Sequence, residues 1–115
     1  MGESGKRPSA QEVAQRREQA APGIHHAWET LEREVFSAGT LSERTKQLIA
    51  VAVAHTTQCP YCIDGHTQLA RGKGAGEAEV MEAIWVAATL RAGGAYAHST
   101  RTFEVMMNGP PEDSS

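Results

Sequence analysis

Cysteine is scarce in this sequence. Two thiols in 115 residues are too few for the disulfide framework on which small secreted domains depend. Aromatic residues make up only 5%, and eighteen of the apolar residues are alanine. A core drawn from such side chains is thin and suits closely packed helices. A chain this short also buries a limited share of its surface, so association between copies is expected. Basic residues are not in excess: 11 Lys and Arg stand against 14 Asp and Glu, a net charge of −3. That balance lacks the clustered basic face that nucleic acid requires. Long hydrophobic runs are missing too. The stretch Leu48 to Ala54 is seven residues long, far short of the roughly 18 or more of a membrane span. Met1 to Ala10 is polar with no apolar segment, so no secretory signal is expected. A reduced, cytoplasmic protein that binds neither membrane nor nucleic acid is the expectation.

What is present reads as helix throughout, with no convincing strand. Residues 1–8 and 108–115 are polar or rich in Gly, Pro and Ser, and are expected to be tails around one domain over 9–107. Ser9 and Glu12 form a capping-box pattern that opens a short helix to about Ala20. Pro22 and Gly23 interrupt it. Ile24, Trp28, Leu31 and Val35 recur at three- and four-residue steps, which predicts a one-sided helix stopped near Gly39. Thr40 and Glu43 form a second capping-box pattern, ahead of the apolar run 48–54. Pro60 disfavours helical geometry at Cys59 and suits the first position of a new helix, so a break is expected near 58–60. That new helix runs to about Arg71. Another spans Glu77 to Leu90, Gly93-Gly94 is expected to break it, and a last one covers Ala95 to Met107. The fold class is all-α, with five to six helices.

One set of residues carries chemistry. Cys59-Pro60-Tyr61-Cys62 is a C-x-x-C pair, with His55 four residues before it and His66 four residues after it. On a continuous or gently kinked helix, positions 55, 59, 62 and 66 share one face. A redox role follows from known thiol chemistry. The thiolate is the nucleophile, C-x-x-C pairs and helix N-termini lower thiol pKa, and a histidine one turn away can take the proton. Cys62 with His66 is the natural nucleophile and base, and Cys59 the natural resolving thiol. The same four side chains are also the donor set of a Cys2His2 zinc site. Ligands spaced along one helical face point in parallel, however, whereas a tetrahedron needs them to converge. As a third possibility, buried cysteines serve simply as small hydrophobes. The thioredoxin fold, the usual home of C-x-x-C, needs a βαβ pattern that this sequence does not supply.

The stretch Leu41 to Ala54, followed by Cys59-Pro60-Tyr61-Cys62-Ile63-Asp64-Gly65-His66-Thr67, resembles the carboxymuconolactone decarboxylase family, and within it the AhpD-like alkylhydroperoxidase branch. The similarity continues through Gly76 to Ala83 and Gly93 to His98, covering roughly residues 24–107. The resemblance implies a compact all-α bundle, a homotrimer or homohexamer, and peroxide reduction by a cysteine pair with no bound cofactor or metal. It implies an oxidoreductase with peroxiredoxin activity, re-reduced by a thiol reductant. By position, Cys62 matches the peroxide-attacking cysteine, Cys59 its partner and His66 the proton-relay histidine. Two positions depart from the pattern. The relay glutamate falls on Gln47, which cannot act as a base, and the histidine within the C-x-x-C is Tyr61. His55, one turn from Cys59, is a candidate to compensate. Glu43, one turn from Gln47, is another, though as the partner of Thr40 it has a capping role already. The decarboxylase branch carries out lyase chemistry that does not depend on a C-x-x-C pair, and the presence of both thiols argues against it.

The remaining candidates are weaker. His25 and His26 are adjacent on a helix and point in different directions. His98, after Tyr96, suits a hydrogen-bonded packing role or the lining of a pocket between subunits. Arg71, Lys73, Arg91 and Arg101 are scattered, and no glycine-rich phosphate loop is present.

Overall fold

A computed structural model describes residues 6–111, which form five helices: α1 (Ala10–Ala20), α2 (Pro22–Phe36), α3 (Glu43–Thr57), α4 (Pro60–Gly72) and α5 (Glu77–Met107). No strand occurs among the described residues. The all-α expectation holds, with five helices. Residues 1–5 and 112–115 of the expected tails lie outside the described residues. The helices fall into two compact units that divide between Ala38 and Gly39.

In the first unit, α1 begins with the capping box the sequence announces. Ser9 Oγ accepts the Glu12 N–H at 3.0 Å, and Glu12 Oε1 accepts the Ser9 N–H at 2.7 Å. Two orphan amide donors are thereby satisfied at the helix end. Pro22 ends the run and starts α2 as its first residue, where its missing N–H has no partner to lose. The Ile24, Trp28, Leu31, Val35 stripe lies along α2, and all four side chains are exposed.

In the second unit, α3 packs against both α4 and α5. Val51, Ala70 and Ala75 form its fully buried centre, with Leu48, Val80 and Ile84 packed around it. Small side chains at this contact let the helices approach closely, as the alanine content implies. Ser42, rather than Thr40, caps α3: its Oγ accepts the Thr45 N–H at 3.1 Å. Glu43 is the first helical residue and pairs with Lys73, so it is not the cap partner of Thr40. Arg44 reaches the Gly74 carbonyl at 3.4 Å and Glu79 at 3.6 Å. The α3 N-terminus is thus tied to the turn between α4 and α5.

A further correction concerns Gly93-Gly94. Helix α5 runs unbroken for 31 residues across both glycines. Glycine lowers helix stability by about 1 kcal/mol relative to alanine but does not forbid the conformation. Neither glycine adopts a positive φ, so no backbone demand here calls for a break.

Candidate functional site

The site is made where α3 stops. Gln58 adopts a left-handed conformation, φ 58° and ψ 45°, and its N–H closes on the Ala54 carbonyl. Ala54 also accepts the Cys59 N–H at 3.1 Å. A left-handed residue at a helix C-terminus satisfies the last carbonyls while turning the chain out of the helix. Arg91 from α5 adds to this closure by donating to the Thr56 carbonyl at 2.6 Å. The chain emerges extended at Cys59, which is the N-cap of α4, and Pro60 is the first helical residue. The break expected at 58–60 is therefore present and complete.

This geometry determines what the C-x-x-C pair can do. Cys59 takes the place usually held by Ser, Thr, Asp or Asn at a helix N-cap. Its Sγ accepts the backbone N–H of Cys62 at 3.3 Å. Both cysteines are free and half-buried. The Cys59 thiol is held below its ordinary pKa, first by the hydrogen bond from the Cys62 side chain and then by the Cys62 N–H. The Cys62 thiol is pushed up, first because it donates to Cys59, then by burial and the negative charge of Cys59. Loss of one proton from the pair is therefore favoured at Cys59, with the other proton kept on Cys62.

His66 lies one turn beyond Cys62 on α4 and is half-buried. Its Nδ1 lies 2.8 Å from Gln47 Oε1, a bond across 19 residues that joins α4 to α3. Gln47 is 5% exposed and shares the buried face of α3 with Val51 and Ala54. Gln47 thus reaches the histidine of the C-x-x-C-x3-H core directly. The sequence singles out both residues but not their contact, because their separation gives no local signal. The spacing 47, 51, 54 could have placed Gln47 on the packed face of α3.

The remaining expected site residues are less engaged. The left-handed turn at Gln58 removes the continuous helical face that was to carry His55 alongside the cysteines. His55 stays on α3, half-buried, and its Nδ1–H donates to the Val51 carbonyl at 2.8 Å. Tyr61 is 87% exposed. His98 donates from Nδ1 to the Gly94 carbonyl of its own helix at 2.8 Å. Among the described residues, no three His, Cys, Asp or Glu side chains come together in an arrangement able to hold a metal ion. No helix among them is long and apolar enough to cross a membrane.

An all-helical scaffold presenting a half-buried thiol pair at a helix N-terminus, beside an anchored histidine, defines the class. The chain belongs to the carboxymuconolactone decarboxylase family, whose pattern matches residues 22–104. It is 50% identical over 99 residues to an uncharacterized protein of the cox locus of Paracoccus denitrificans, covering 86% of this chain and 89% of that one. Among solved structures, it is similar to a protein from Methanobacterium thermoautotrophicum, with a TM-score of 0.70 and 34% identity over 74% of this chain and 96% of that one. It also shares its fold with a carboxymuconolactone decarboxylase family protein of Thermotoga maritima for which a part in antioxidative response has been suggested. That likeness has a TM-score of 0.53 and 24% identity over 75% of this chain and 96% of that one.

Proposed function

We propose that this protein is an AhpD-like, thiol-dependent peroxidase that cycles between the Cys59–Cys62 dithiol and its disulfide. The observation that carries the reading is the thiol pair at the α4 N-terminus, with Cys62 N–H on Cys59 Sγ and His66 one turn further along the same helix. The suggested antioxidative role of the Thermotoga family member points the same way.

The chemistry divides between the thiols. Cys62 gives its proton to His66 and attacks the terminal oxygen of a hydroperoxide. The O–O bond breaks, Cys62 becomes a sulfenic acid, and the alkoxide leaves as alcohol with the proton returned by His66. Cys59, whose lowered pKa favours loss of its proton to solvent, then attacks the Cys62 sulfur as the thiolate. A disulfide forms and hydroxide departs, taking a proton from solvent to become water. An external dithiol reduces the disulfide by exchange. Cys59 suits the resolving role because its lowered pKa favours the thiolate, while its hydrogen bonds from Cys62 temper its nucleophilicity. Cys62 suits the attacking role because the histidine lies on its side of the pair. The resemblance of the C-x-x-C-x3-H core to the alkylhydroperoxidase branch supports the same assignment, and family membership supports assembly as a homo-oligomer.

The test is peroxide consumption in the presence of a small dithiol. Wild type should turn over. Cys62→Ser should consume none above background. With the dithiol left out, Cys59→Ser should consume one equivalent per chain and stop, leaving a sulfenic acid that a dimedone-type reagent traps. Single-turnover consumption by Cys62→Ser would reverse the two roles. Turnover retained by the double Cys59→Ser, Cys62→Ser variant would overturn thiol chemistry altogether.

A further inference from the structure

Position 47 departs from the relay that the family resemblance implies, and the structure gives the departure a physical role. A buried amide needs its polar atoms matched, and Gln47, 5% exposed, places its carbonyl oxygen 2.8 Å from His66 Nδ1. An amide oxygen can only accept, so the proton of that bond belongs to Nδ1. In a neutral imidazole one nitrogen carries the proton and the other the lone pair. We propose that Gln47 is a positioning residue whose oxygen fixes His66 in the Nδ1–H tautomer, so that Nε2 is the nitrogen that accepts a proton.

Two consequences follow. Gln47 neither gains nor loses a proton, so no proton passes through position 47. Gln47 also brings no charge. A carboxylate in its place would favour the imidazolium and oppose return of the proton to solvent or product. The amide supplies orientation and tautomer alone. The bond spans α3 and α4, so it also fixes the ring relative to the helix that carries Cys62. Histidines oriented for metal ligation use the same device, where a partner on one ring nitrogen sets the reactivity of the other.

The inference deepens the peroxidase reading and rests on it for His66 as the base, but its test is independent of peroxide. Long-range proton–nitrogen correlation spectra of reduced, nitrogen-15-labelled protein report histidine tautomers directly. The His66 signals are assigned by their loss in His66→Asn. At a pH where His66 is neutral, wild type should show a protonated Nδ1 and an unprotonated Nε2. Gln47→Met, which keeps the length of the side chain and lacks the acceptor, should revert to the Nε2–H form that free histidine favours. Gln47→Glu, which keeps an acceptor, should retain Nδ1–H. Turnover of the Met variant should fall about 10–100-fold, the loss typical when a residue orienting a reactive histidine is removed. A wild-type spectrum showing Nε2–H overturns the inference whatever the variants do, as does Nδ1–H persisting in Gln47→Met. Peroxide inertness with the expected tautomer would sink the peroxidase reading and leave this one standing.

Discussion

Between Cys59 and Cys62 a single hydrogen-bonding asymmetry separates the two thiols. The N-cap position gives Cys59 two donors, the Cys62 N–H and the Cys62 thiol, and both favour its thiolate. Cys62 loses by the same arrangement. A lowered pKa means a thiolate that persists to lower pH, so alkylation of Cys59 should rise through a lower midpoint than that of Cys62. Timed iodoacetamide labelling with peptide mass spectrometry at neutral pH should find Cys59 modified first. In Cys59→Ser, which removes the opposing charge, Cys62 should label faster than it does in wild type. Equal rates for the two thiols would contradict the asymmetry. At this scale the sequence was informative about identity and silent about contact. The spacing 59, 62, 66 brought out the thiols and the histidine, and Pro60 implied a cap at Cys59. The bond from His66 to Gln47 depends on how two helices dock, which no spacing within one helix encodes.

At the scale of elements, the helix ends do the positioning. Ser42 starts α3, and α3 carries Gln47 one turn later. Gln58 ends α3 and delivers Cys59 to the start of α4. Ser42→Ala removes the acceptor for the Thr45 N–H and should lower stability by about 1 kcal/mol, within the usual range for a lost cap. Urea unfolding followed by circular dichroism should show the midpoint falling at unchanged slope, and an unchanged midpoint would mean that Ser42 does not cap. Cap and breaker chemistry was legible where the local signal stood alone, as at Ser9 with Glu12 and at Pro60. It misled where two signals competed. Thr40 and Ser42 are both good caps, and only the position of the first turn chooses between them. Gly93-Gly94 carries a real intrinsic penalty, but two weak residues in 31 do not outweigh the continuity of the helix on either side.

At the scale of the whole molecule, apolar surface exceeds the core available to bury it. Val51, Ala70 and Ala75 make up the buried centre of the unit from Gly39 onward, while on α5 Trp85 is 62% and Leu90 68% exposed. Large apolar side chains left open along one helix are the mark of surfaces that meet other protein. Sedimentation or light scattering at micromolar concentration should give a mass that is a multiple of 12.3 kDa, and Trp85→Glu should lower it. A stable monomer would show that α5 is not an interface.

If the two thiols form one redox unit, titration with peroxide reveals it directly. Fully reduced protein is mixed with increasing alkyl hydroperoxide, quenched by alkylation and weighed intact. One equivalent of peroxide should convert each chain to a species lacking two hydrogen atoms and resistant to alkylation, with Cys59 joined to Cys62 within the chain. Peroxide left unconsumed, or chains that remain doubly alkylated after several equivalents, would contradict it.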